Sequence, residues 1–191
     1  MARPHVIENP VTRERAVFLE TAEHAAGEVL RFDLFVRPGG FVPGANDHIH
    51  PYQEESFHIK AGTVRLRIGG EERHCTIGEK VTVPAGTPHA WWNAGDDELH
   101  AVVELRGPSA GRFWAFATSF FALAQAGKTN KNGDPNLLRS AVVLREYGDV
   151  LCAAPLFVQK ILVPPLALLG RLMGYRPDYP YPTAPSGPDA A

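Results

Sequence analysis

Short runs in which apolar and polar residues alternate recur through the first half of the chain. Residues 29–37 place large apolar side chains on one face and charged side chains on the other, as a half-buried strand does. Residues 63–68 repeat the pattern and end at Gly69–Gly70, a pair typical of a β-hairpin. Further runs at 80–86 and 98–107, separated by turn-forming residues, predict a sandwich or barrel of short strands.

Beyond residue 108 the spacing of apolar residues changes to three and four, which predicts helices. The first helix is rich in aromatic side chains between Phe113 and Phe121, and we expect it to be capped by Ser109 and to end at Gly127. The apolar face of this helix packs either on the barrel or on a dimer partner, which is the more frequent arrangement for such a face. The alternative is that the helix closes the mouth of the barrel as an apolar lid.

Two further helices and a tail complete the predicted elements. Asp134 is expected to cap the second helix, with Pro135 at its first position. The third helix, over residues 156–173, is expected to be broken or kinked at Pro164–Pro165. Residues 176–191 are rich in proline, which predicts an extended or disordered tail.

The length of 191 residues suits one domain with an appendage. We therefore expect a β-barrel over residues 1–108 and a helical extension over 109–175 that packs on the barrel or on a dimer partner, followed by the tail over 176–191. The formal net charge is −2 and no basic stripe is present, which argues against nucleic acid as a partner.

Cellular location and assembly are predicted from the two ends of the chain. The N-terminus has no apolar core of a signal peptide, and two cysteines are too few for a disulfide framework, so we expect a cytoplasmic protein. The apolar stretch near the C-terminus is interrupted by Lys160 and by prolines, so no transmembrane segment is predicted. Its apolar length exceeds what a small barrel needs, which favours a homodimer.

Candidate chemistry begins with two histidines one residue apart, His48 and His50. On a strand they point to the same face, and two imidazoles on one face are half of a metal site. Residues 54–60 divide into a wholly polar face and a mixed face with large apolar side chains. The mixed face is the interior, so Glu55 is predicted to point inward and Glu54 to point into solvent.

A second stretch, from Gly78 to Asn93, supplies a third imidazole. A proline-glycine turn at residues 84–86 delivers His89 at the start of the next strand. Three imidazoles and one carboxylate are a common donor set for Fe, Mn, Ni, Co, Cu or Zn.

These two stretches resemble the two motifs of the cupin family. The first motif, H-x-H-x3,4-E-x6-G, matches at His48, His50, Glu55 and Gly62. The second motif, G-x5-P-x-G-x2-H-x3-N, matches with every spacing met at Gly78, Pro84, Gly86, His89 and Asn93. The whole chain is similar to small bacterial single-domain cupins with helical tails.

The resemblance implies a mainly β protein with C-terminal helices. Its centre would be a jelly-roll barrel, or double-stranded β-helix, of two antiparallel sheets that hold one divalent transition metal. The implied ligands are His48, His50, Glu55 and His89. Four ligands on an octahedral ion leave two positions open for water, O₂ or a chelating substrate. Cupins use such sites for dioxygen-dependent cleavage, for isomerisation, decarboxylation or cyclisation, or only to bind a ligand.

Two functions from different classes follow. The first is a dioxygenase-like oxidoreductase that acts on a small aromatic or apolar organic molecule, in which Glu55 is the catalytic residue and accepts a substrate proton. The alternative is a non-catalytic module that binds or senses a small ligand, or an isomerase or cyclase that works without O₂. The candidate lining of a substrate pocket consists of Tyr52, Phe57, Ile59, Trp91 and Val102.

Overall fold

The computed structural model describes residues 6–19, 28–42, 47–148, 151–152 and 156–182. The described strands, in chain order, are β1 (Val6–Asn9), β2 (Glu14–Leu19), β3 (Val29–Val36), β4 (His48–Ile49), β5 (Glu54–Ala61), β6 (Thr63–Ile68), β7 (Glu71–Thr76), β8 (Lys80–Val83), β9 (His89–Asn93), β10 (Leu99–Arg106) and β11 (Leu151–Cys152). The described helices are α1 (Phe113–Gln125), α2 (Leu137–Tyr147) and α3 (Leu156–Leu172).

The strands form two antiparallel sheets. The larger sheet has the order β1-β2-β3-β10-β5-β8, and the smaller has the order β11-β4-β9-β6-β7. The predicted barrel of two antiparallel sheets with C-terminal helices is therefore confirmed. Among the described residues, no helix is long and apolar enough to cross a bilayer.

The larger sheet buries one face and exposes the other. In β3 the side chains of Leu30, Phe32, Leu34 and Val36 are at most 5% exposed, whereas Arg31 on the opposite face is exposed. This alternation is the one that the sequence predicts for residues 29–37. The inward residues of β2, β5 and β10 continue the same apolar layer, which α1 covers through Ala117 and Phe121.

The predicted start of the first helix is wrong. The backbone of Ser109 is left-handed, with φ 63°, and its side chain caps nothing. A capping serine needs an extended backbone to reach the first free amides of a helix. A single 3₁₀ turn at Ala110–Arg112 follows Ser109, and α1 begins only at Phe113.

The cap of the second helix is also corrected. Asn136, which has an extended backbone, accepts a hydrogen bond from the amide of Arg139 and caps α2. Asp134 instead belongs to the preceding loop, where its amide donates to Oδ1 of Asn130 at 3.0 Å. Asp134 is part of the hydrogen-bonded loop and does not cap the helix, which begins two residues later than predicted.

The third helix runs through both of its prolines, so of the predicted break or kink the break is wrong. Pro164 and Pro165 lie inside α3, which is continuous from Leu156 to Leu172. Each proline removes one helical hydrogen bond, so the carbonyls of Lys160 and Ile161 lose their amide donors. Both of these residues are exposed, and water can therefore satisfy the two carbonyls.

The extension beyond residue 108 is not wholly helical. After α2, Leu151–Cys152 forms β11 and pairs with β4, so that Leu151 lies opposite Ile49 and Cys152 opposite His48. Residues 175–182 have no helix or strand, and Tyr181 bonds to β1 through Glu8. The rest of the predicted tail, residues 183–191, lies outside the described residues.

Candidate metal centre

Three strands and one turn bring the four predicted ligands together inside the barrel. His48 is on β4, His50 follows it, Glu55 is on β5 and His89 begins β9. Donor atoms of all four residues lie within 4.8 Å of one another. His50, Glu55 and His89 are buried, and His48 is half-buried. The cluster could therefore bind a metal ion.

Strand pairing and one turn hold the histidines in place. His48 and His89 are direct cross-strand partners between β4 and β9. The turn before His89 closes through a hydrogen bond from the amide of Thr87 to the carbonyl of Pro84 at 3.2 Å. Its glycine, Gly86, has φ +76°, the left-handed geometry of a type II turn. The Gly86 amide also donates to the carbonyl of His50 at 2.8 Å, which fastens the turn to the first motif.

Hydrogen bonds set the orientation of the His89 ring. Nδ1 lies 2.9 Å from the carbonyl oxygen of Thr87 and Nε2 lies 2.8 Å from Oε2 of Glu55. Because a carbonyl only accepts, Nδ1 carries the proton in this contact. The contact with the Glu55 carboxylate is then donated by Nε2, and loss of that Nε2 proton leaves a lone pair directed at the cluster. A backbone carbonyl on the outer nitrogen is a usual support for metal-binding histidines.

Electrostatics in the cluster favour a carboxylate among neutral and charged imidazoles. Burial raises the pKa of Glu55, but the hydrogen bond from His89 and the nearby His50 and His89 rings outweigh it and lower the pKa below its usual value. Burial, helped by the charges of His89 and His50, holds the pKa of His48 well below its usual value. For His89, burial lowers the pKa, but its interactions with Glu55 outweigh burial and raise it.

The donor set fits a transition-metal ion. Neutral imidazoles and an ionised carboxylate are the protonation states that metal binding requires. In addition, Nδ1 of His48 is buried and has no hydrogen-bond partner among the described residues. Buried polar atoms in folded proteins normally have a partner, so this nitrogen favours a site that takes an additional group.

The donor cluster borders an apolar cavity of about 150 Å³. His48 and Glu55 line it, together with mostly aromatic and aliphatic side chains of both sheets and of α1. Of the predicted pocket residues, Phe57 and Trp91 line this cavity. Ile59 is fully buried in the core instead, and Tyr52 is 61% exposed.

Val102, a candidate residue of the pocket lining, does not line the cavity. Along β10 the buried positions are Leu99, Ala101, Val103 and Leu105, so Val102 lies on the outer face and Val103 lines the cavity. The strand continues a regular alternation, and the polar neighbours of Val102 share its face. His100 on this face bonds to Asp33 at 2.6 Å.

Helix α1 covers the cavity, which favours the lid over the alternative of a purely external helix. Its first residue, Phe113, stacks on Phe32 with ring centroids 6.0 Å apart and meets the His50 ring edge-on at 5.5 Å. The cavity-lining residues of α1 are Phe113, Phe116, Ala117, Phe120 and Phe121. The aromatic helix therefore forms one wall of the same space that the donor cluster borders.

Motif residue Asn93 has a structural role. Its side-chain amide donates to the carbonyls of Val36 and Asp97, each at 2.8 Å, and its oxygen accepts from the amide of Gly95 at 2.9 Å. These bonds join the two sheets near the end of β9. Asn93 is not among the clustered metal donors or the residues that line the cavity.

Sequence reasoning missed Glu14, which lines the cavity and is 5% exposed. It shares the inward face of β2 with Ala16 and Phe18. The signal in the sequence was its position: Glu14 precedes Ala16 by two residues and Phe18 by four, so it shares their face of the strand. The burial of residues 6–19 depends on contacts with β3 and α1, which the local pattern does not reveal.

The family comparison agrees with this geometry. Residues 34–103 match the family model Cupin_2, a cupin domain, and this segment contains all four clustered donors. The chain contains a cupin domain. The cupin match begins within β3 and ends within β10, and so covers the barrel strands around the donor cluster but not the helices.

Two curated relatives come from Streptomyces. Protein SchB of Streptomyces halstedii is 32% identical over 77 residues, which cover 40% of this cupin and 53% of that protein. Polyketide synthase CurC of Streptomyces cyaneus is 29% identical over 70 residues, which cover 37% of this chain and 44% of that protein. The chain thus spans about half the length of the curated relatives it matches.

Solved structures with similar folds are more distant in sequence. A predicted oxalate decarboxylase from Thermotoga maritima has 18% identity and a TM-score of 0.46, and the alignment covers 49% of this chain and 80% of that one. The Cupin_2 domain of an XRE family transcriptional regulator from Enterobacter cloacae has 18% identity and a TM-score of 0.44, with coverage of 50% and 98%.

Proposed function

We propose that this cupin binds one divalent transition metal (Fe, Mn, Ni, Co, Cu or Zn) through His48, His50, Glu55 and His89. We further propose that it is a dioxygenase-like oxidoreductase for a small aromatic or apolar organic substrate. One observation carries the proposal: a compact, largely buried set of three imidazoles and one carboxylate borders an apolar cavity. When bound, a metal ion there supplies Lewis acidity and, if it is redox-active, electron transfer to O₂.

Residues of the chain itself supply the remaining tasks. The aromatic wall formed by Phe57, Trp91 and Phe113 binds a flat apolar substrate and keeps water out of the cavity. Glu55 accepts a proton from the substrate at Oε2, the oxygen that lies 2.8 Å from Nε2 of His89 and 3.6 Å from Nε2 of His50. The backbone carbonyl of Thr87 keeps the His89 ring in one orientation during this proton transfer.

The substrate class follows from the chemistry of the cavity. A substrate must bind at the metal centre through an oxygen atom, and the rest of its surface must be apolar to pack against the aromatic wall. Phenols and enolisable diketones meet both needs, because their oxygen becomes acidic when it binds a cation. The curated relative that is named a polyketide synthase supports a polyketide-derived compound, since polyketides carry repeated carbonyl groups.

Metal content is the first test. We expect protein purified without a metal-affinity tag to carry about one equivalent of a transition metal, and the His89→Ala variant to carry much less. Asn93→Ala is the matched control, because Asn93 lies on the same strand but outside the donor cluster. If wild type and His89→Ala hold equal metal, or none after reloading, the proposed centre is wrong.

Oxygen consumption then separates the enzymatic functions. The metal-loaded protein is incubated with a panel of phenols and diketones, in air and under strict anaerobiosis. Consumption of O₂ together with product supports the dioxygenase-like reaction. Product without O₂ identifies the isomerase or cyclase alternative, and tight retention of a compound without any product identifies the ligand-binding alternative.

We also propose that the protein is a homodimer in the cytoplasm, with the domain boundary near residue 108. Support for the dimer comes from α3, whose large apolar side chains include several at least 48% exposed: Phe157, Ile161, Leu162, Leu168, Leu169 and Leu172. A second copy would cover such a surface with an equally apolar one. Light scattering should report twice the chain mass for wild type and a monomer for Ile161→Glu.

A further inference from the structure

The cavity that starts at the metal centre also touches a second buried carboxyl group, that of Glu14. Glu14 begins β2 and points inward with Ala16 and Phe18, and it is 5% exposed. Most other groups that line this space are apolar. A carboxyl group facing an apolar ligand cavity is costly to bury unless something pairs with it.

The register of the larger sheet places the two carboxyl groups far apart. Glu55 lies opposite Leu105, which lies opposite Leu30, while Glu14 lies opposite Val36. Leu30 and Val36 are six positions apart on β3, which corresponds to roughly 20 Å along the strand. One cavity lined by both groups is therefore elongated, and it suits an extended molecule.

The carboxyl group of Glu14 has capacity left for a ligand. Among the described residues, only the Thr12 hydroxyl hydrogen-bonds this carboxyl group, at Oε2. The other oxygen, Oε1, has no hydrogen-bond partner among them. Burial raises the pKa of Glu14 to about 8, so the group is protonated at neutral pH and can both donate and accept a hydrogen bond.

We propose that Glu14 is a specificity-determining residue that hydrogen-bonds an oxygen at the far end of an elongated substrate whose near end binds at the metal centre. This inference rests on the proposed function, because it assumes that the cavity holds the substrate. It narrows the substrate class to flat or extended apolar molecules that carry a hydroxyl or carbonyl oxygen at each end.

The two ligand oxygens must be well separated. Glu14 and Glu55 are six positions apart along the strands and three strands apart across the sheet, so a single ring is too short to reach both carboxyl groups. Biphenyl with a hydroxyl at both para positions is the simplest rigid probe with an oxygen at each end. Biphenyl with one para hydroxyl is the matched probe, since it keeps the metal-binding end and lacks the far oxygen.

The test is calorimetric titration of both biphenyl probes into protein loaded with zinc, which does not turn over with O₂. We expect wild type to bind the diol about tenfold tighter than the mono-ol, well beyond the twofold that two equivalent ends give by statistics. Glu14→Leu should reduce the preference to about twofold, and Glu14→Gln should retain much of it because an amide still donates. Glu71→Gln, a change at an exposed position, is the control.

The outcomes separate this inference from the proposed function. If wild type and Glu14→Leu show the same preference, or if wild type binds both probes equally, Glu14 does not determine specificity and the metal centre is unaffected. If zinc is bound but neither probe binds wild type, the cavity is not the substrate site. In that case both the role of Glu14 and the proposed substrate site are wrong. Thermal unfolding of each variant is measured first, and Glu14→Met replaces the leucine variant if that one does not fold.

Discussion

The buried carboxyl group of Glu14 should make the stability of the protein depend on pH in a direction opposite to that of most glutamates. Burial moves the pKa of Glu14 from 4.5 to about 8, and the Thr12 hydroxyl only partly offsets this. The neutral group is therefore the form that the folded state prefers. Its contribution to stability is fully present below about pH 4.5 and is lost as the pH rises through about 8.

The magnitude follows from proton linkage. Between the two pKa values unfolding releases one proton from Glu14, so the free energy of unfolding falls by about 1.4 kcal/mol for each pH unit. From about pH 5 to about pH 8 the loss from this one group is about 3.5 kcal/mol. Glu14→Gln has the same shape without the titration and should lack this loss.

Urea unfolding of wild type and Glu14→Gln at several pH values measures the effect. The histidines titrate in both proteins, so the difference between the two unfolding free energies isolates Glu14. That difference should shift by about 3.5 kcal/mol across the range, whereas Glu71→Gln at an exposed site should follow wild type. Parallel curves for wild type and Glu14→Gln would refute the reasoning, because they would show that Glu14 is ionised in the folded protein.

Three further changes test the packing around the site by urea unfolding. Asn93→Ala removes three hydrogen bonds and should lower the free energy of unfolding by about 3 kcal/mol; a loss below half of that contradicts its structural role. Gly86→Ala forces alanine to φ +76° without a steric clash and should cost about 1 kcal/mol, whereas Gly95→Ala should cost little. Val103→Ala should cost about 2 kcal/mol and Val102→Ala less than half as much, and equal losses would argue against the observed orientation of β10.

The barrel and the metal cluster could be predicted because both are encoded locally. Strand alternation in residues 29–37 depends only on neighbouring positions, and the structure reproduces it. The inward orientation of Glu55 and the shared face of His48 and His50 follow from the alternation of side chains along a strand. His89 lies far away in sequence, so its place beside the other donors rested on the chemistry of the donor set and on the resemblance to the cupin motifs.

The errors arise where local patterns are ambiguous. Val102 and Val103 are adjacent valines, so apolar character alone does not decide which one points inward. Pro164 and Pro165 interrupt a helix by local rules, but the residues whose carbonyls they free, Lys160 and Ile161, are exposed, so water can replace the lost bonds. Asp134 and Asn136 are both good caps, and the loop hydrogen bond to Asn130 decides between them.

The extension after residue 108 is part of the site rather than an addition to it. Helix α1 supplies one wall of the cavity, and β11 pairs with β4, the two-residue strand that carries His48. Without β11, β4 would be an edge strand of its sheet, and edge strands are less constrained. Without α1, the aromatic wall of the cavity would be missing. The position of His48 and the wall of the cavity therefore both depend on residues that lie outside the cupin match.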